Sequence, residues 1–385
     1  MSAFLGYHRP DGRIGVRNHL LILSLGGLTE PTARRIGRSV AGAVVVALPY
    51  GVGLIGKDAA VHRAAMLGLA CHPNVGATLL IGDNPVVTAE IAAVVARSGI
   101  AHAALTMDDC GHDAMTLTER GMRAAARLAH AISGIARKPA TLSSLTIGLE
   151  CGRSDPSSGI VANPLLGAIS DRLVDAGGRA IIGETMEWLG AEHLLARRAR
   201  TPAVAKAVLA AVAARERAAI EAGIDLTGSN PSPTNIAAGL SSIEEKSLGN
   251  IAKSGSRPIE GLIGYGETPP GPGLWVMDAP AYAPESVTGF VMAGAQLMLF
   301  TTGVGNSYVS ALAPTLKLSA NPRACASLHE QLDFNASPVF RGEQALERSA
   351  DDLEGVMLAI ASGQATWGEI LLEGNEVVSR FGPAM

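Results

Sequence analysis

Aromatic side chains are scarce, 4% of the chain against 48% hydrophobic residues overall. An aromatic-rich sandwich core is therefore a poor expectation, and closely packed α/β layers of aliphatic and small residues are the better one. An excess of positive charge is also lacking: the formal net charge is −4 and no long basic block occurs, which argues against nucleic acid or an anionic membrane as a partner. Cysteine is sparse. Cys71, Cys110, Cys151 and Cys325 lie far apart with no CxxC pair, which excludes a disulfide framework and suggests reduced thiols in a cytoplasmic protein. The nine histidines form no HxH or HExxH pattern, so a zinc hydrolase is not indicated. No GxGxxG follows the first apolar strand, where Gly26-Gly27 run into LTEP, and dinucleotide binding has little support. The amino terminus has no apolar signal core. Ser286 to Leu316 contains no charged residue, but Thr288, Gln296, Thr301-Thr302, Asn306 and Pro314 interrupt it. It reads as buried helix, strand and loop rather than a membrane span.

What is present is an alternation. Apolar runs at 19–25, 41–51, 76–84 and 101–107 are separated by amphipathic helical patterns, as in a parallel sheet covered on both faces. With 385 residues, two cores are expected. The basic, Pro- and Ser-containing stretch RKPATLSS (137–144) marks the join, giving two Rossmann-like α/β parallel-sheet domains, 1–137 and 138–385.

The second domain opens on LTIGLECGRSDPSSGIVANP (145–164), a strand that ends in Cys151, Ser154 and Asp155 and feeds a helix. Open α/β sheets bind ligands at that carboxyl edge. The strand RAIIG (179–183) ends likewise at Glu184. If a helix starts there, Glu184 and Glu187 share a face, although Glu187 and Glu192 also complement a helix dipole. NPSPTN (230–235) is a rigid, amide-rich turn. SSIEEKSLGNIAKSG (241–255) either holds a polyhydroxy acid through its polar side chains or is a capped helix starting at Ser241 or Ser242. Thr288-Gly289 is expected at a helix start, and LMLF empties into Thr301-Thr302. TLKLSAN carries Lys317 and Asn321. Several strands thus end in hydroxyl, acid or amide groups, as a shared active-site edge requires. At the amino terminus, Arg9, Arg13 and Arg17 lie among glycines, where they either grip an anionic group or clamp a domain or subunit contact.

GYHRPDGRIGVRN, GLECGRSDPSSGIVANP, the Glu184 to Glu192 acid pattern, NPSPTN, IEEKSLGNIAKSG, MDAP, TGFVMAGAQLMLFTTG, LKLSAN and LDFNAS together resemble the altronate/galactarate dehydratase family. The likeness is strongest to its split branch, the large subunits of sulfolactate sulfo-lyase-like enzymes. The resemblance implies a lyase that removes the C2 proton of a 2-hydroxy acid and expels water or sulfite from C3 to give a 2-keto acid. It also implies iron(II) or another divalent metal, a separate small SAF-type subunit and a homo-oligomer of the large one. GGLTEP, PYGVG and GDNP replace the family's cysteine-bearing strings after the first three strands, and Arg153 stands where its CGGSD string has glycine. The candidates are Lys246 or Glu245 for proton transfer, with Glu184 as an acid. Arg13, Arg17, Ser154, Asn235, Lys253, Thr301, Thr302 and Lys317 are candidates for binding substrate. Cys151 and Asp155 are candidate metal ligands, with a buried structural thiol the alternative for Cys151. A non-catalytic subunit that binds a sugar acid or nucleotide is the rival reading.

Overall fold

The structure, a computed structural model, describes residues 3–51, 53–226 and 230–380. Gly228 and Ser229 of the polar segment before NPSPTN lie outside them. β1 (Ala3–His8) and β2 (Ile14–Gly15) form an antiparallel pair. β3 (His19–Ser24), β4 (Ala43–Ala47), β5 (Val75–Gly82) and β6 (Ala101–Thr106) then make a four-stranded parallel sheet in the order β4-β3-β5-β6. Helices Glu30–Ser39, Gly56–Ala70, Pro85–Ser98 and Ala114–Ser133 alternate with these strands. β5 is buried along its whole length, which explains its uninterrupted apolar run. The expected alternation is therefore what the first domain shows.

β7 (Lys138–Thr141) falls within the stretch expected to join the domains, and it pairs antiparallel with β1. After it come β8 (Thr146–Cys151), β9 (Arg179–Ile182), β10 (Ile259–Ile263), β11 (Gly273–Met277), β12 (Leu297–Thr301), β13 (Thr315–Ser319) and β14 (Phe334–Asn335). They form one parallel sheet in the order β10-β11-β9-β8-β12-β13-β14. The chain leaves β8 to one side for β9 and later returns to its other side with β12. The strand order therefore reverses between β8 and β12, and such a point opens a crevice at the carboxyl ends of the strands. Cys151 and Thr301 are in register there. The uncharged run forms helix Ala283–Met292, β12 and part of β13. Thr288 and Gly289 lie inside that helix and not at its start, because Pro284 and the strand–turn before it begin the helix earlier. Among the described residues no helix is long and apolar enough to cross a membrane.

One apolar core runs between the two large sheets, holding Leu21, Leu23 and Leu80 with Ile181, Phe290 and Phe300. Helix Ala283–Met292 lies against helix Gly56–Ala70, and a Cβ on Gly68 would come within 2.3 Å of the Met292 carbonyl oxygen. Buried amides cross the same boundary. Asn74 Nδ2 donates to the carbonyls of Gln296 and Leu312, and its Oδ1 accepts from Val16 N–H. Gln296 Nε2 donates to Ile14 and Ser144 carbonyls. Three backbone groups depend on Asn74, and losing its amide strands them without water. Asn74→Ala is expected to lower unfolding stability by about 3 kcal/mol in a urea titration; a change within error would show that the boundary is held by the apolar core alone.

Candidate active site

The carboxyl edge of the larger sheet opens on a cavity of about 870 Å³ lined by Cys151, Arg153, Glu184, Glu187, Asn235 and Lys246, among others. β8 delivers Cys151 as its last residue. β9 delivers Glu184 two residues past its end, in a left-handed backbone conformation with φ 66°. Glu184 therefore shares no helical face with Glu187. It is the turn residue before the short helix Thr185–Trp188, which supplies Glu187. The third contributor is helix Ile243–Ala252, capped by the Ser242 hydroxyl on Glu245 N–H. Lys246, Asn250 and Lys253 are spaced i, i+4 and i+7, so one helix face carries all three. Close approach of that helix depends on small residues, since a Cβ on Gly167 would meet the Ala252 carbonyl oxygen at 2.4 Å.

These side chains form one network. Lys253 Nζ lies 2.5 Å from Glu184 Oε2 and 3.4 Å from Cys151 Sγ. Asn250 Nδ2 reaches Cys151 Sγ at 3.4 Å and one oxygen each of Glu184 and Glu187 at 3.0 Å. Lys246 Nζ pairs with Glu187 Oε1 at 2.7 Å and donates to Asn230 Oδ1 at 2.7 Å. Burial works against ionised Glu184, but the Lys253 ammonium outweighs it and holds the carboxyl below its ordinary range. Burial and then the Glu184 charge push Glu187 the other way, up, and push the neighbouring Glu150 up much further. Glu150 Oε2 finds no donor to accept from. As a protonated acid it has instead an O–H to give to Glu184. Burial and the Glu184 charge also raise the Cys151 thiol far above its usual value, so it is held neutral. Burial disfavours both ammonium groups. For Lys253 the ionised Glu184 carboxylate beside it outweighs burial, and for Lys246 Glu187 does.

Of the residues expected at the site, Cys151, Glu184, Asn235, Lys246 and Lys253 converge here. Asn235 caps the short helix Pro233–Ala237 and donates to the Ser154 carbonyl at 2.8 Å. Thr301 donates to Asn163, whose amide in turn holds the Gly249 carbonyl, so it acts one step behind the wall. Thr302 accepts from Gly305 N–H and shapes the loop opposite. Lys317 is buried within β13, with Nζ on the Ser307 carbonyl and on Glu373, both wall residues. Ser154, Asp155 and Glu245 line a smaller adjoining cavity of about 230 Å³. Glu245 is satisfied by Ser241 N–H and hydroxyl, as an acid in the first turn of a helix often is. Asp155 is likewise engaged, by Ser157, Ser158 and Asn321, and stands outside the donor group formed by Cys151, Glu184 and Glu187.

Arg13 and Arg17 do not share this cavity. Arg13 lines a cleft at the opposite edge, beside Thr146 and Arg179, the first residues of β8 and β9. Arg17 is bound to Glu369 and to the carbonyls of Val16, Ile360 and Gln364. A guanidinium with five donors is well suited to gather buried carbonyls, and that is the use made of it. Sequence names Glu187 only as a neighbour of Glu184 or a helix-dipole partner and gives it no role at the site, and it does not single out Glu150 or Asn250. The i, i+4, i+7 spacing of Lys246, Asn250 and Lys253 is the signal by which Asn250 could be found.

One ligand atom each from Cys151, Glu184 and Glu187 lies within 4.8 Å of the others, so the group could hold a metal ion. A sulfur with two carboxylate oxygens suits a divalent transition ion, provided the thiol gives up its proton.

The last described segment closes the wall, with Glu373 and Asn375 facing the cavity. Glu376 anchors it by accepting from Ser310 Oγ at 2.5 Å, Thr288 Oγ1 at 3.0 Å and Ala311 N–H at 3.0 Å.

Residues 142–383 match the family model described as D-galactarate/altronate dehydratase, C-terminal, and residues 6–133 match D-galactarate dehydratase/altronate hydrolase, second domain. The beta subunit of (2R)-sulfolactate sulfo-lyase from Chromohalobacter salexigens is 35% identical over 381 residues, spanning 98% of this chain and 97% of that one. Altronate dehydratase from Escherichia coli is 31% identical over 382 residues, 94% of this chain and 74% of its own length. Galactarate dehydratase (L-threo-forming) from Escherichia coli is 30% identical over 301 residues, 78% and 56% respectively.

Two outcomes are expected from the network. Lys253→Met leaves Glu184 buried and uncompensated, and should cost ~3–5 kcal/mol in denaturant unfolding. Lys253→Met with Glu184→Gln should recover most of that; equal losses in single and double variants would refute the pairing. The second concerns pH. Burial raises the Glu376 carboxyl from 4.5 to about 7. The folded chain then binds a proton more tightly than the unfolded chain, so this contribution is full below pH 4.5 and is lost as pH rises through about 7. Between these limits Glu376→Gln should flatten the fall in stability by on the order of 2–3 kcal/mol. Parallel stability–pH curves for the two proteins would contradict the assignment.

Proposed function

The chain belongs to the D-galactarate/altronate dehydratase family, and from that premise we propose that it is the large, catalytic subunit of a lyase acting on 2-hydroxy carboxylic acids. The reaction removes the proton at C2, expels the substituent at C3 as water or sulfite, and leaves an enol that becomes a 2-keto acid. The observation that carries this reading is the pair formed by Lys246 and Glu187 on the cavity wall, backed by the buried Lys253–Glu184 pair.

A C2 proton beside a carboxylate is weakly acidic, and the enediolate left by its removal needs fixed positive charge close by. Lys246 carries that charge, since Glu187 keeps its ammonium protonated at rest. A carboxylate whose pKa is raised is a stronger base than an ordinary one, which fits Glu187 to accept the C2 proton. Lys246 then serves as charge stabiliser and proton relay rather than as the resting base. Glu184 is ionised and engaged with Lys253, so its part is to orient Lys253, Asn250 and Cys151. Neutral Cys151 is a poor nucleophile, and no covalent step is assigned to it.

Cys151, Glu184 and Glu187 would hold a divalent ion, with iron(II) suited to the mixed donors; such an ion would add positive charge beside the substrate's carboxylate, and with Glu187 as its ligand the proton-accepting role would pass to Lys246. A small partner subunit is proposed as well, in line with the relative named as a beta subunit.

The test is keto-acid and sulfite release from 3-sulfolactate, altronate and galactarate, with and without iron(II), by the chain alone and with its small subunit. Glu187→Gln and Lys246→Ala should each lower kcat by about 10²–10⁴-fold, and a chelator should reduce activity that iron(II) then restores. If the complete complex forms no keto acid from any 2-hydroxy acid, or if Glu187→Gln keeps full kcat, the reading fails.

A further inference from the structure

The carboxylates facing the cavity are already matched. Glu184 pairs with Lys253, Glu187 with Lys246 and Glu373 with Lys317. Arg153 is the remaining cation of the wall, and among the described residues no side chain pairs with its guanidinium. It stands two residues beyond Cys151, at the strand end where the sheet order reverses, and its side chain is solvent-accessible.

Its backbone is the second observation. Arg153 has φ 55°, in the left-handed region that glycine enters freely and side-chain-bearing residues enter at a cost. The turn cannot relax easily. The Arg153 carbonyl accepts from Gly303 N–H at 3.2 Å. On its other side a Cβ at Gly152 would meet Asn306 Nδ2 at 2.7 Å and the Phe300 ring at 2.8 Å. Packing therefore holds an unpaired guanidinium at the cavity in a conformation that favours a different residue. Local strain of this kind persists where a side chain is needed for binding.

We propose that Arg153 is a specificity-determining residue that receives a second anionic group of the substrate, so that the preferred substrate is a dianionic 2-hydroxy acid with a sulfonate or second carboxylate, and not a monoanionic polyhydroxy acid. This rests on the lyase reading above. In that reading the substrate's C1 carboxylate lies beside Lys246, where the enediolate charge is stabilised, so a monoanion held there leaves Arg153 without a partner, whereas a sulfonate or carboxylate at the far end can take two parallel N–H donors from the planar guanidinium.

Calorimetric titration of the chain with 3-sulfolactate, malate and glycerate tests this without requiring turnover. Glycerate has a hydroxyl where 3-sulfolactate has its sulfonate, and malate replaces the sulfonate with a carboxylate. The two dianions should bind about 10–100-fold more tightly than glycerate, and Arg153→Gly and Arg153→Gln should both collapse that ratio. A tightening seen with 3-sulfolactate but not with malate assigns the group to a sulfonate, and with both to an anion in general. Arg153→Gly also relieves the left-handed strain, so its melting temperature should match or exceed that of the parent while the ratio falls; this separates lost binding from lost folding. An unchanged ratio in both variants overturns the proposal, as does weakened association with the small subunit while the ratio is kept. If no substrate turns over but the ratio still depends on Arg153, the lyase reading fails and this assignment stands.

Discussion

A lysine with no exposed surface and a glutamate that is 1% exposed form an ion pair between the end of one strand and the last turn of a helix, and the site is organised around it. Removing two charges from water is costly, and their attraction repays it only if the remaining donors and acceptors are also met. Asn250 and the Cys151 thiol supply donors to Glu184, and Glu150 retains a proton for the same carboxylate. The pair also ties the helix carrying Lys246 to the sheet. The position of Lys246 relative to Glu187 is thus inherited from a contact deeper in the protein. A weaker anchor would let the ammonium drift from where charge has to be stabilised.

The parallel sheet supplies the geometry. β8 lies in the middle of seven strands, and the chain departs from it on one side and returns on the other, so the loops after β8, β9 and β12 splay around one crevice. Asn163 bridges Thr301 at the end of β12 to Gly249 in the helix. Two of the three loops are set by non-glycine residues with positive φ, Arg153 and Glu184. Both strand ends turn sharply, which brings their side chains over the edge instead of continuing the pleat.

Much of this architecture is legible in the sequence because it follows from burial on two faces. LLILSL, GATLLIG and LMLF are continuous apolar runs, and each is a central parallel strand. The carboxyl edge is legible for a related reason, since chemistry-bearing residues interrupt those runs where the strands end. Glu184 was misread because a helical pattern in ETMEW conceals a left-handed turn, and φ is invisible to periodicity. The amino-terminal arginines misled in another way. Glycine-rich arginine stretches serve anion binding and carbonyl clamping alike, and only the tertiary fold shows that Arg17 faces Glu369 and the carbonyls of Ile360 and Gln364. The role of Glu187, and Asn250 altogether, are hidden in the sequence because each acts through a partner far away in the chain.

The small antiparallel sheet has a mechanical corollary. β1 belongs to the opening of the first domain and β7 to the entry into the second, and they are stitched to each other while Arg137 grips the carbonyls of Leu5, Val16 and Ala361. With the buried amides of Asn74 and Gln296 on the same boundary, the two large sheets are riveted at more than one place. Swinging the two sheets apart would have to break these contacts together, whereas the loops rimming the crevice could move without disturbing them.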